Sequence, residues 1–199
     1  MDRTAASALT AWLDRELWLV TARAGERRGG LIATFVSQAS LVPELPRMLV
    51  GVARQHHTWE LIEASGAFAL HLLGQDNADW VAHFGLRSGR TFDKFAGVPY
   101  RAGPTGSPVL DGAIGWLDCA VEARMETGDR TVYLGQVVGS EVTRYGPPLT
   151  LKRFLEEAPQ ETAAELKRLV HRDCDIDAAA IAAWRRKHGI TPRGQQSEG

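Results

Sequence analysis

The chain has 199 residues, with 23 Lys+Arg against 24 Asp+Glu, so its formal net charge is −1. That balance speaks against a dedicated nucleic-acid binder, which usually carries a basic excess, and gives no reason to expect a membrane surface as partner. The length fits one sizeable core, no apolar run reaches the ~18 residues of a spanning helix, and Cys119 and Cys174 suggest neither a disulfide framework nor a thiolate metal site.

Met1-Asp2-Arg3-Thr4 runs into a mixed polar stretch instead of an apolar core, so no secretory leader is expected and the cytoplasm is the expected compartment. Residues 5–14 read as a short helix. Residues 17–22 form a β-rich run, residues 25–30 carry turn chemistry, and residues 31–36 form a second run, which together predict a hairpin. Residues 37–46 read as a polar, proline-bearing loop, and residues 48–53 as a third strand. Thr58 is expected to N-cap a helix over residues 59–64 that stops at Gly66. Residues 68–73 read as a fourth strand, and residues 78–84 as a short helix ending at Gly85.

Residues 86–113 are rich in Gly, Pro and Ser and long for a connection; long ordered loops are often functional. In residues 114–126 the odd positions are Gly115, Leu117, Cys119, Val121, Ala123 and Met125, while Asp118, Glu122, Arg124 and Glu126 fall on even ones. This period-two pattern predicts a strand with one apolar face. Thr127-Gly128-Asp129-Arg130 turns the chain into a sixth run over residues 131–142. Ala163, Leu166, Leu169 and Val170 lie at helical spacing. Asp177 is expected to cap a separate last helix over residues 178–188, with Ile176 and Ile181 as a hydrophobic staple. Arg185, Arg186, Lys187 and His188 suit its C-terminal dipole, Gly189 and Pro192 end it, and residues 191–199 read as a flexible tail. Six strands, with helices between and at both ends, predict a mainly β barrel with helical decoration.

Two stretches suggest a ligand. Gln55-His56-His57-Thr58 joins a strand to a helix N-terminus, whose free N–H groups and partial positive charge suit a phosphate. The other reading is that Thr58 only caps its helix and the histidines are solvated. Ala33-Thr34-Phe35-Val36-Ser37-Gln38-Ala39-Ser40 ends a strand in small and hydroxyl residues, which let backbone approach a flat ring and offer hydrogen bonds to a sugar-like chain. Taken alone, it reads first as a β edge entering a Ser-rich turn. Neither a Rossmann fingerprint nor a Walker loop is present. Trp18, Trp80 and Trp116 read as packing residues, His71 as structural or partly exposed, and Cys119 as a small buried hydrophobe. No nucleophile–base arrangement supports hydrolase chemistry, and no metal ligands are singled out.

The run from Gly30 to Pro43 resembles the flavin-binding segment of the flavin reductase-like family of FMN-binding split barrels. Four later pieces match in order: Gln55 to Thr58, Gly66 to Leu73, Asp93 to Gly97 with Gly106 to Ala113, and Thr127 to Val138. The resemblance spans roughly residues 15–142. It implies an antiparallel Greek-key split β-barrel with N-terminal and C-terminal helices, binding FMN, with FAD as the variant. It implies a barrel domain over residues 1–149 and a helical extension over residues 150–190. A homodimer with flavin near the interface is expected, with NAD(P)H as co-substrate and an oxygenase or other electron acceptor as partner. By position, Ala33, Thr34, Phe35 and Val36 would line the isoalloxazine ring, and Ser37, Gln38, Ala39 and Ser40 the ribityl chain and phosphate. Gln55, His56 and Thr58 would complete the phosphate site, with Lys94 and Phe95 in the loop beside it. Many family members carry Gly-Asp-His in the hairpin; here it is Gly128-Asp129-Arg130. Arg130 stays protonated and is no acid/base catalyst, but it is suited to an anion on the flavin or nicotinamide side. Ile32 stands where the family often has Thr. The implied activity is electron transfer from NAD(P)H to flavin. A non-catalytic flavin electron carrier and a cofactor-free dimeric module are the alternatives.

Overall fold

The computed structural model describes residues 5–191; the tail expected from residue 191 lies outside them except for its first residue. Its first half comprises α1 (Ala5–Trp12), β1 (Trp18–Ala24), β2 (Arg27–Ala33), β3 (Val36–Gln38), β4 (Arg47–Ala53), α2 (His57–Ser65), β5 (Ala67–Leu72) and α3 (Ala78–Gly85). There follow β6 (Arg101–Ala102), β7 (Pro108–Val109), β8 (Gly115–Glu126), β9 (Arg130–Val142), α4 (Leu151–Glu157) and α5 (Gln160–Lys187). Seven strands form one antiparallel sheet in the order β2-β1-β5-β8-β9-β4-β3, and β6 pairs with β7 in a small separate hairpin.

The two outer strands of the large sheet, β2 and β3, are consecutive in the chain. Only Thr34 and Phe35 separate them, a link that reaches no more than about 11 Å. A sheet whose opposite edges are tethered so closely must curl on itself. The result is a half-barrel whose seam lies at residues 34–35. Inside it, Val20, Leu31, Val50, Val52, Phe68, Leu70, Cys119 and Tyr133 pack with Leu61 and Ile62 of α2. The helix therefore plugs the barrel. β1 is buried on both faces along its first half: Val20 and Ala22 face the barrel, while Leu19 and the preceding Leu17 pack outward with Phe84, Phe95, Leu149 and Phe154. His71 sits between these layers, its Nδ1 3.1 Å from the Leu19 carbonyl and its Nε2 accepting from the Leu110 N–H at 3.0 Å.

Several local expectations are corrected. The run over residues 31–36 is two strands, because Phe35 leaves the β2 ladder and its carbonyl accepts from Gly51 N–H at 2.8 Å. The turn before β2 is confined to Gly25 and Glu26, with Gly25 at φ +59°. Thr58 is not the cap of α2: His56 holds that position with extended backbone, and Thr58 is buried in the first turn. The single apolar face of β8 fails because register shifts fall at Asp118/Cys119 and Val121/Ala123. Trp116 and Asp118 are buried beside Cys119, whereas Met125 is exposed. Asp177 caps nothing: α5 runs unbroken through it, since residues 170–180 contain no Gly or Pro to stop a helix. Ile176 and Ile181 are therefore mid-helix and form no staple. Among the described residues no helix is long and apolar enough to cross a membrane.

Candidate functional site

A cleft of about 380 Å³ opens between the start of α2, the loop after α3 and the middle of α5. Its floor carries Gly30, Gln55, His56, His57, Thr58 and Lys94, and its far wall is Leu169, Arg172, Asp173 and Ile176. The β2 glycines make the floor possible. A Cβ on Gly29 would stand 2.9 Å from Leu61 Cδ1 and 3.2 Å from His57 Cδ2. No side chain caps α2, so its N-terminal N–H groups and partial positive charge face this space.

Lys94 is the decisive charge. Its side chain is buried, and its ammonium donates to the Gly30 carbonyl at 2.8 Å and the Phe84 carbonyl at 2.6 Å. An ammonium has three donors, so two are used. Among the described residues no carboxylate pairs with it, and burial pushes its pKa down to about 8. A buried cation without a counter-charge is costly, and an anion in the cleft would relieve that cost. Gln55 Nε2 is also buried without a hydrogen-bond partner. His56 is held below the usual histidine range by burial, opposed by the nearby Asp173 and reinforced by Lys94. His57 packs its ring edge against Gly29 and Gly89, with Nδ1 3.4 Å from Glu60 Oε2, a contact too poorly aimed to count as a hydrogen bond.

A second groove, about 330 Å³, lies at the barrel seam and is lined by Thr34, Phe35, Val36, Ser37, Leu49, Gly51, Arg130 and Val132. Phe35 is 52% exposed and stands between two guanidinium groups, Arg15 at 5.3 Å and Arg130 at 4.7 Å from the ring centre. Arg130 is not free. Its Nε donates to Asp129 at 2.5 Å and its Nη2 to Asp177 at 2.7 Å. Burial pushes the Asp129 carboxyl up, but the hydrogen bonds from Arg130 and Thr127 and the Arg130 charge together outweigh it and hold it below the usual range. The Arg130–Asp177 pair ties the seam groove to α5, whose Asp173 and Ile176 reach the first cleft.

The expected site residues divide accordingly. Gln55, His56, Thr58 and Lys94 meet in the cleft; Thr34, Phe35, Val36, Ser37 and Arg130 meet at the seam. Ala33 is buried in the barrel core. Gln38 donates to the Ser40 carbonyl and Ser40 accepts from Val42 N–H, so these side chains serve their own loop, and neither they nor Ala39 line the cleft. Phe95 is packed between Phe84 and Tyr100, below the cleft. Sequence reasoning marked residues 86–113 as a functional loop without naming Gly85 to Arg90 as site residues, and named no residue of the wall on α5. The signal for the wall was there: Leu166, Leu169, Asp173, Asp177, Ala180, Ile181 and Trp184 follow the 3.6-residue period of one helix face.

Comparison with known proteins places these features in context. The model of the flavin reductase like domain matches residues 13–154. The reductase subunit HsaB of a flavin-dependent monooxygenase from Rhodococcus jostii is 34% identical over 117 residues, 59% of this chain and 58% of that protein. A ferric-chelate reductase (NAD(P)H) from Archaeoglobus fulgidus is 30% identical, with 67% of this chain and 79% of that protein covered. Among solved structures, the NADH:FAD oxidoreductase SgcE6 of Streptomyces globisporus, in complex with NAD and FAD fragments, superposes with a TM-score of 0.62 at 26% identity. That match covers 75% of this chain and 86% of the other. Of other curated relatives the chain spans less: 22% of a diflavin flavoprotein from Synechocystis and 64% of a high molecular weight rubredoxin from Moorella thermoacetica.

Proposed function

This chain belongs to the flavin reductase-like family, and we propose that it is a flavin-binding oxidoreductase that passes electrons from NAD(P)H to flavin or an onward acceptor. The observation that carries the reading is the buried Lys94 ammonium, without a carboxylate partner among the described residues, in the floor of a cleft at a helix N-terminus. That combination suits a phosphate monoester. Gln55, His56 and Thr58 would hold the phosphate with Lys94. Residues 34–37 at the seam would take the ring edge, where Arg15 and Arg130 favour negative charge on it. When bound, the flavin supplies the hydride-accepting ring, and the protein supplies position and charge.

FMN is the fitting minimum; FAD would extend past His57 toward the neighbouring surface cleft lined by Arg27, Arg28 and Arg90. We assign the protein to the cytoplasm, as a homodimer with flavin near the interface and an oxygenase among its candidate electron acceptors. The names of the HsaB and SgcE6 relatives support the flavin and nicotinamide parts of this reading. The test is nicotinamide oxidation with FMN or FAD, followed by absorbance. Turnover above the protein-free rate is expected. Bound flavin without turnover would instead select an electron carrier, a reading favoured by Arg130 standing, doubly ion-paired, where the family often has His.

A further inference from the structure

Lys94 shares the first cleft with three arginines, and they are not equivalent. Arg90 donates from Nε to Glu60 at 3.1 Å and from its other two nitrogens to Glu60 and the Gln55 carbonyl. Arg172 is bonded to its own neighbour Asp173 at 2.9 Å. Both charges are answered within the walls. Arg87 is different. It lines the same cleft from the loop after α3 and is exposed. Among the described residues its guanidinium has neither a carboxylate nor a hydrogen-bond partner, and it lies over the ring of Phe92, 4.5 Å from the ring centre. Stacking uses the flat face of a guanidinium and leaves its N–H edges free. The loop is held by other groups: the Thr91 and Phe92 N–H groups donate to the Ser88 carbonyl at 3.2 and 3.1 Å, and Arg90 ties the loop to α2. Arg87 therefore keeps its place at the lip without spending its charge.

A phosphate monoester carries about −1.5 to −2 charges at neutral pH. Lys94 answers one of them, and the N-terminus of α2 supplies the equivalent of about half a positive charge. A remainder is left, and the unspent cation of the cleft is Arg87. We propose that Arg87 is a second phosphate-binding residue, which supplies from the lip the charge that Lys94 on the floor leaves unanswered. The inference rests on the flavin reading of that cleft. The two cations divide the work by burial. Lys94 is shielded from salt and acts at contact, whereas Arg87 is exposed, acts on the approaching anion, and is screened by salt. Its planar fork can take two phosphate oxygens while its face stays on Phe92.

The test is equilibrium titration of the full chain with FMN and with riboflavin, which lacks the phosphate, read by flavin fluorescence. The wild type is compared with Arg87→Met, which still covers Phe92 but carries no charge, and with Arg87→Lys, which keeps the charge and loses the fork. Thermal unfolding checks that each variant is folded. At low salt FMN affinity is expected to fall about fivefold in Arg87→Met, the upper end for an exposed ion pair, and to be partly restored in Arg87→Lys, with riboflavin affinity unchanged. At about 1 M salt, where the screening length is about 3 Å, most of the difference is expected to vanish. FMN bound equally by the wild type and Arg87→Met at low salt overturns the inference and leaves the flavin reading standing. A matching loss of riboflavin affinity also overturns it, since the effect would then be packing. So does an equal loss of FMN affinity in the Met and Lys variants, since charge would then not be its cause. Binding of neither flavin by the wild type overturns the flavin reading itself.

Discussion

At the scale of single residues, burial decides which polar groups are chemistry and which are scaffold. His71 alternates with apolar neighbours, a pattern that allowed either a structural or a partly exposed side chain, and the structure buries it. Its two ring nitrogens clamp β1 to the loop before β8. Burial, opposed by the Leu19 carbonyl, pushes its pKa down to about 4. The unfolded chain then takes up a proton that the folded one refuses, so stability is present above pH ~6.5 and falls as pH drops toward 4. Denaturant titrations across that range are expected to show a loss of order 3 kcal/mol, and His71→Gln is expected to flatten the slope. Cys119 is buried, with its thiol pushed up to about 12 by burial and by Asp118, while Cys174 is exposed. A thiol reagent is expected to label one cysteine rapidly in the native protein, and none in Cys174→Ser. Lys94 was legible only through family resemblance, because a lysine in a loop gives no local sign that two carbonyls will bury it.

At the scale of elements, the strands were legible where one period ran uninterrupted and illegible where the chain broke it. β4, β5 and β9 follow the apolar runs closely. β8 does not, because two bulges turn its alternation over partway along. The seam was hidden because Thr34 and Phe35 continue the β-forming composition of β2 while their backbone departs from its ladder. α5 was misjudged at Asp177, where an acidic residue before an alanine run imitates a cap. The interior of that helix is instead fixed by what it touches. Gly128, at φ +98°, lies under Trp184, and a Cβ there would stand 2.7 Å from Trp184 Cβ. Gly128→Ala is therefore expected to cost about 2–3 kcal/mol, from backbone strain and overpacking together. Gly25→Ala, at φ +59° with nothing nearby, is expected to cost only the strain, about 1 kcal/mol. Urea unfolding of both variants checks the difference; equal costs would show that α5 does not press on the hairpin.

At the scale of the molecule, the near-zero net charge takes on a local meaning. No general basic surface is needed to hold an anion when a helix N-terminus and one buried lysine converge on a glycine-lined cleft. The curled sheet provides that convergence: β2 and the start of α2 form the floor, α3 and its loop one wall, and α5 the other. The central claim is that this cleft takes the phosphate of a flavin. It is tested most directly by titrating wild type and Lys94→Met with FMN and riboflavin. FMN affinity is expected to fall by about 10- to 100-fold in the variant, the worth of a charge-assisted hydrogen bond, with riboflavin affinity nearly unchanged. Equal affinities for FMN in the two proteins would contradict the account.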